Sequence, residues 1–305
     1  MSVARTTILA AAKNGTVRRF VNAYGMRLGA ARFVAGETLD EAVPVLRSLN
    51  DRGLAANTTL LGEDVLNEDE TRAVAAEFRR ILDRIREEGL GVNVALKLTH
   101  LGLDVDEDLA FENVRSVVDH AAQVGNFVRI DMEYSSLVDP TLRIYRRLRE
   151  AGYANVGTVL QSYLYRSAAD LEELLPLQPN LRLVKGAYLE PAEVAYPRKE
   201  DVDAAYVRLL ERSLGREGYT AVATHDERLI EHAIGFANGT GIERDRFEFQ
   251  MLYSVRPQLQ LDLVRRGFKV LVATPYGPEW FPYLMRRLAE RPANVMFFAR
   301  NLVRR

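Results

Sequence analysis

Eight short runs rich in β-branched, aromatic and leucine residues recur along this chain, with helix-patterned segments between them. The runs are Leu54–Leu61, Val92–Thr99, Phe127–Met132, Asn155–Tyr163, Leu181–Ala187, Thr220–Thr224, Phe247–Leu252 and Lys269–Thr274. Among the segments between them, Asp69–Glu88, Glu107–Val124 and Val202–Arg216 repeat apolar residues with the period of an amphipathic helix. Strands that alternate with helices pair in parallel, because each helical crossover returns the chain to the same end of the sheet. Eight such units over roughly 250 residues predict an α/β fold, a (β/α)8 TIM-type barrel. An open doubly wound sheet is the alternative. Thr38-Leu39-Asp40-Glu41 is a capping box that opens a helix running to about Asn50, and Asp139-Pro140 and Ser167 mark further helix starts. The expected division is an N-terminal helical segment over residues 1–50 and a barrel over 51–305.

Composition narrows the partners. The 305 residues carry 41 basic and 42 acidic side chains, so no overall field points to nucleic acid. The absence of cysteine excludes disulfides, thiolate metal sites and cysteine nucleophiles. The run Ile8–Ala12 is too short for a signal-peptide core, and no later stretch is apolar enough to span a membrane. A cytoplasmic protein is expected. No Gly-rich dinucleotide or P-loop motif follows a strand, no G-x-S-x-G elbow occurs, and the four histidines show no paired metal spacing, so no metal is expected.

In such barrels the chemistry lies at the C-terminal ends of the strands. Side chains alternate along a strand, and the parity places Lys97, Asp131, Gln161, Arg182 and His225 at one mouth. Burying that many ionisable groups costs several kcal/mol each unless they are paired or hold a ligand. One of them alone is explained by a salt-bridge network; five at strand ends mark a site. After the last strand, Pro282 suits the first turn of a short helix that carries Tyr283, Arg286 and Arg287. Tyr283 and Arg287 share a face of it. Two neighbouring guanidinium forks accommodate an anion between them, a carboxylate or a phosphate. Lys185-Gly186-Ala187-Tyr188 ends its strand with a glycine where backbone can approach a flat or phosphorylated group.

Taken in order, Leu60-Leu61-Gly62-Glu63, Leu96-Lys97-Leu98-Thr99, Arg129-Ile130-Asp131-Met132-Glu133, Val159-Leu160-Gln161-Ser162-Tyr163, Arg182–Tyr188, Thr224-His225-Asp226 and Tyr283–Leu288 resemble proline dehydrogenase, most closely its short bacterial single-function members. The likeness spans about residues 30–300. It implies a distorted (β/α)8 barrel preceded by helices. It also implies FAD as cofactor and oxidation of L-proline to 1-pyrroline-5-carboxylate by hydride transfer to flavin N5, with a membrane quinone reoxidising the flavin. A peripheral contact at the inner face of the membrane and a downstream pyrroline-5-carboxylate dehydrogenase would follow. By the same resemblance Lys97, Arg286 and Arg287 would bind the proline carboxylate, Tyr283 would pack on its ring, and Tyr188 would help enclose it. Arg182 would lie beside flavin N5, where positive charge favours the reduced ring. Asp131 would sit at the centre of the site. Met132, Gln161, Lys185, Gly186, Ala187, Thr224 and His225 would line the FAD.

Two positions depart from the family pattern: Ala273 stands where many relatives have tyrosine, and Thr59 where the usual residue is aspartate. The first bears on discrimination against hydroxyproline. Competing readings are a Schiff-base aldolase using Lys97 or Lys185, and a barrel that binds an anionic metabolite without turnover. The aromatic and basic tail Phe297–Arg305 is a candidate membrane contact.

Overall fold

The computed structural model describes residues 33–290, with side chains through Met285. The strands are β1 (Ala55–Leu60), β2 (Val92–Leu96), β3 (Val128–Ile130), β4 (Val156–Gln161), β5 (Asn180–Val184), β6 (Tyr219–Ala223), β7 (Phe247–Leu252) and β8 (Val270–Tyr276). They pair in parallel in sequence order, and β8 closes on β1, so the open-sheet alternative falls. Helix α1 (Leu39–Asn50) precedes β1. The others are α2 (Glu68–Glu87), α3 (Glu107–Gln123), α4 (Val138–Glu150), α5 (Ser167–Leu174), α6 (Lys199–Leu214), α7 (Glu227–Thr240), α8 (Pro257–Arg265) and α9 (Trp280–Glu290). The barrel is thus the predicted (β/α)8 fold.

The capping box forms as expected. The Thr38 hydroxyl accepts from the Glu41 amide, and the Glu41 side chain accepts in turn from the Thr38 amide. Buried Leu46 and Leu49 then hold α1 against the core. The last strand runs farther than its sequence predicts, through Pro275 to Tyr276. Proline is tolerated there because only its carbonyl is needed: Pro275 accepts from the Ala35 amide at 2.8 Å. The only tryptophan, Trp280, is buried and donates to Glu37 at 2.9 Å, tying the start of α9 to the segment before α1.

The apolar parity of each strand faces the helices. Val92, Val94 and Leu96 of β2, Leu181 and Leu183 of β5, and Phe247, Phe249 and Met251 of β7 join one continuous core with the inner faces of the helices. The opposite parity fills the lumen, and it departs from the branched apolar filling usual in such barrels. Asn57, Asn93, Arg129, Arg182, Glu248 and Gln250 lie there, among the small residues Ala95, Gly157 and Ala221. Small residues are required because arginines must cross the space. Arg129 donates to the carbonyls of Thr158 at 2.9 Å and Asn180 at 2.7 Å, and lies 4.9 Å from the Phe127 ring centre. Burial, and after it the like charge of Arg182, pull the Arg129 guanidinium down to about 9.

A methyl group on Gly157 would sit 2.4 Å from the Arg129 guanidinium and 2.5 Å from the Asn180 carbonyl. Gly157→Ala is therefore expected to destabilise the barrel by about 1–3 kcal/mol, the usual range for overpacking. Denaturant unfolding measures this, and a midpoint equal to wild type would show that the lumen has room to spare.

Candidate active site

The lumen opens at the C-terminal ends of the strands, and there the charged residues meet. Arg182, on β5, is buried and donates from Nη1 to Asp131 Oδ1 at 2.5 Å, just past the end of β3. Its Nε donates to Gln250 Oε1 at 2.6 Å and its Nη2 to Asn57 Oδ1 at 3.2 Å. Side chains from three other parts of the barrel thus fix one guanidinium. Asp131 and Arg182, expected together from sequence, are in direct contact.

Lys97 follows β2 and forms an ion pair with Glu63 from the loop after β1. Behind it Glu133 is buried, accepting from the Thr99 amide at 3.2 Å and the Thr99 hydroxyl at 2.7 Å. Burial pushes the Glu133 carboxyl up, against the charge of Lys97 and the two Thr99 hydrogen bonds. His100 is buried next to these groups, and burial followed by the charge of Lys97 lowers it to about 4. Its imidazole is neutral at physiological pH.

Gln161, the last residue of β4, is buried and donates its amide nitrogen to the Glu133 carbonyl at 3.2 Å, while its amide oxygen has no partner among the described residues. An acceptor left open in a buried site fits a guest that carries N–H donors. Met132 is buried beside Asp131. Past β5, the Tyr163 amide donates to the Lys185 carbonyl at 2.9 Å, and the Tyr163 ring lies where a side chain on Gly186 would be, a methyl there coming within 2.3 Å of it. Gly186 also has φ of 118°, so two separate constraints call for glycine. Tyr188, beyond Ala187, packs against Tyr134 in a tilted contact with ring centres 4.3 Å apart.

Lys185 is turned toward α6 and α7, reaching Asp203 at 2.6 Å and Asp226 at 3.4 Å. Burial opposes ionisation of Asp203, but hydrogen bonds from Lys185 and Lys199 outweigh it and hold the carboxyl below its usual range. Thr224 accepts from the Asp226 amide at 3.1 Å. The His225 ring nitrogen accepts from the Leu252 amide at 2.9 Å, so its side chain is committed to the end of β7. Tyr283 lies half-buried on α9. Arg286 and Arg287 belong to the same helix, and their side chains lie outside the described residues. Among the described residues no group of side chains could hold a metal ion.

Glu248 and Gln250 carry no expectation from sequence, although the alternation Phe247-Glu248-Phe249-Gln250-Met251 marks them as lumen-facing polar residues. Asn57 was equally open to detection by parity.

A closed (β/α)8 barrel whose polar lumen ends in a fixed arginine–carboxylate pair, with Lys97 and Lys185 at neighbouring strand ends, has the layout of a barrel enzyme. The family model of proline dehydrogenase matches residues 42–300. Proline dehydrogenase 1 of Bacillus subtilis strain 168 is 43% identical over 301 residues, 99% of each chain. Proline dehydrogenase of Deinococcus radiodurans is 43% identical over 279 residues, 90% of each chain. This chain belongs to the proline dehydrogenase family. The structure of proline utilization A from Bdellovibrio bacteriovorus superposes with a TM-score of 0.83 at 24% identity, over 94% of this chain and 36% of that one, and shares the fold.

The displaced titration of His100 has a thermodynamic signature. Folding holds it neutral down to about pH 4, whereas the unfolded chain protonates it near 6.5. Between those values the unfolded state binds more protons, so stability falls as pH drops through that window. At about 1.4 kcal/mol per pKa unit the loss attributable to His100 is about 3 kcal/mol. Comparing urea midpoints of wild type and His100→Asn from pH 7 to 4.5 checks this. The variant should show a shallower slope, and parallel curves would refute it.

Proposed function

We propose that this protein is an FAD-dependent proline dehydrogenase that oxidises L-proline to 1-pyrroline-5-carboxylate, with electrons passing to a membrane quinone. The observation that carries the reading is the Arg182–Asp131 pair held at the mouth of a polar barrel, in a chain of this family. Bound in this site, FAD would supply the hydride acceptor for the ring carbon next to the proline nitrogen.

The chain's own residues supply position and charge. Lys97, Arg286 and Arg287 bind the substrate carboxylate, Tyr283 packs on the pyrrolidine ring, and Tyr188 closes the substrate side. Arg182 presents a positive charge beside the reacting atoms, oriented before substrate arrives. Asp131 fixes that orientation from the centre of the site. Gln161 offers its open acceptor to the cofactor ring, and Met132, Lys185, Gly186, Ala187, Thr224 and His225 complete the cradle.

The aldolase alternative loses ground on geometry. A lysine that attacks a carbonyl needs a free amine in apolar or cation-crowded surroundings. Lys97 is paired with Glu63, and Lys185 with Asp203 and Asp226.

The purified protein is expected to be yellow and to bleach on anaerobic addition of L-proline. Arg286→Ala and Arg287→Ala should each raise the KM for proline about 10- to 100-fold, the worth of a charge-assisted hydrogen bond, with flavin retained. Asp131→Ala and Arg182→Ala should lower kcat. A yellow protein indifferent to proline would redirect the search to hydroxyproline and other cyclic amines. A protein colourless even after FAD is supplied would refute the flavin reading.

No helix among the described residues is long and apolar enough to cross a membrane. We place the enzyme in the cytoplasm with a peripheral contact at the inner membrane face, through the tail Phe297–Arg305, which lies outside the described residues. The product would pass to a pyrroline-5-carboxylate dehydrogenase. Deleting residues 297–305 should reduce proline:quinone activity in anionic vesicles while sparing activity with a soluble acceptor. Equal activities with the quinone would remove the membrane role of the tail.

A further inference from the structure

A single chain of polar contacts runs from the floor of the barrel to its mouth. At the floor, Lys269 Nζ lies 2.9 Å from Glu248 Oε2, and the Tyr219 hydroxyl donates to the same oxygen at 3.1 Å. The other Glu248 oxygen accepts from Gln250 Nε2 at 2.6 Å. Gln250 Oε1 accepts from Arg182 Nε at 2.6 Å, and Arg182 hands the chain on to Asp131 and Asn57. Glu248, Gln250 and Arg182 are all buried. The Gln250 amide has one workable orientation, because a guanidinium can only donate and an ionised carboxylate can only accept.

We propose that Gln250, backed by Glu248, is a positioning residue for Arg182 in the reaction. The inference rests on Arg182 belonging to the active site. A guanidinium bonded only through its two terminal nitrogens can still tilt on a long, flexible side chain. Bonding Nε as well, from a strand on another side of the lumen, leaves it one plane and one direction.

The order of the groups matters as much as their contacts. Arg129 and Arg182 bring two positive charges into the lumen region, Asp131 and Glu248 bring two negative ones, and Lys269 adds a further positive charge at the floor. With Glu248 directly on Arg182, two carboxylates would share that arginine and its charge would be spent inside the barrel. The neutral amide of Gln250 transmits the anchoring of Glu248 while keeping its carboxylate one side chain further from the mouth. Arg182 therefore meets a guest as a fixed cation with a single carboxylate partner.

The test is a double-mutant cycle in the flavin-loaded enzyme. Gln250→Met keeps the length and volume of the side chain and removes both hydrogen bonds. In the wild-type background it should lower kcat about tenfold, the lower end of what a bond to a charged group carries, with the KM for proline changed less than about twofold. In an Arg182→Lys background, which has no Nε–H to hold, the same substitution should cost less than about twofold. A merely structural role would lower kcat by the same factor in both backgrounds, and that result would overturn the proposal. Should Gln250→Met not fold, Glu248→Gln carries the same cycle with an expected loss of about threefold. Crystal structures of wild type and Gln250→Met supply a readout independent of proline chemistry. The Arg182 guanidinium should leave Asp131 in the variant. If wild type proves inactive on proline, the functional reading fails while the structural comparison still decides the positioning, and an unmoved Arg182 would overturn it.

Discussion

The buried guanidinium of Arg182 is the constraint on which the rest of the site depends. A charge taken out of water costs several kcal/mol unless geometry repays it, and here Asp131, Gln250 and Asn57 do so from separate strands or strand ends. Satisfying one arginine therefore dictates residues on β1, β3, β5 and β7 together. It also dictates what the lumen cannot be. A packing of branched apolar side chains would leave these donors without partners, so small and polar residues replace it. Stability is then carried by the opposite parity of the strands, where apolar side chains pack against the helices.

The loops at the mouth repeat the same economy on a smaller scale. Glu133 accepts from both the amide and the hydroxyl of Thr99 and so joins the end of β3 to that of β2. Lys97 and Glu63 join β2 to β1. On the other side, the amides of Ser162 and Tyr163 donate to Val184 and Lys185, and the Tyr196 amide donates to the Tyr163 carbonyl. Each connection satisfies a polar group that would otherwise be stranded near a low-dielectric interior, and each fixes a loop that carries a site residue.

Much of this was legible in the chain because two periodicities of very different length coincide. Strand–helix alternation gives the barrel, and the period-2 pattern within strands gives the mouth: Asp131 and Arg182 fall on one parity and meet at 2.5 Å. Gln250 and Glu248 obey the same rule, yet a glutamate and a glutamine alternating with Phe247, Phe249 and Met251 read as easily as a solvated strand face. Only barrel closure turns that face inward. The extension of β8 through Pro275 was hidden for a related reason. The carbonyl that justifies a proline there bonds Ala35, a residue 240 positions away in sequence. His225 shows the converse, since its place at a strand end marked it as a site residue but could not reveal that its ring caps the Leu252 amide.

The cations at the mouth divide into two physical kinds, and on the proposed function the division would let one site both hold and admit an anion. Arg182 is fixed by three side chains and faces its carboxylate across a half-buried contact, so its direction is a property of the barrel. Lys97 and Lys185 are half-buried, and each is a point charge on a flexible stem whose partners lie on loops or at helix starts. An ion pair of that kind exchanges partners at low cost where the displaced carboxylate can turn to water as the incoming anion takes its place. A site built only of fixed pairs would be too well satisfied to bind anything. One built only of exchangeable pairs would bind without orienting. On the proposed function, the fixed arginine would give a bound anion its direction and the exchangeable lysines would admit it.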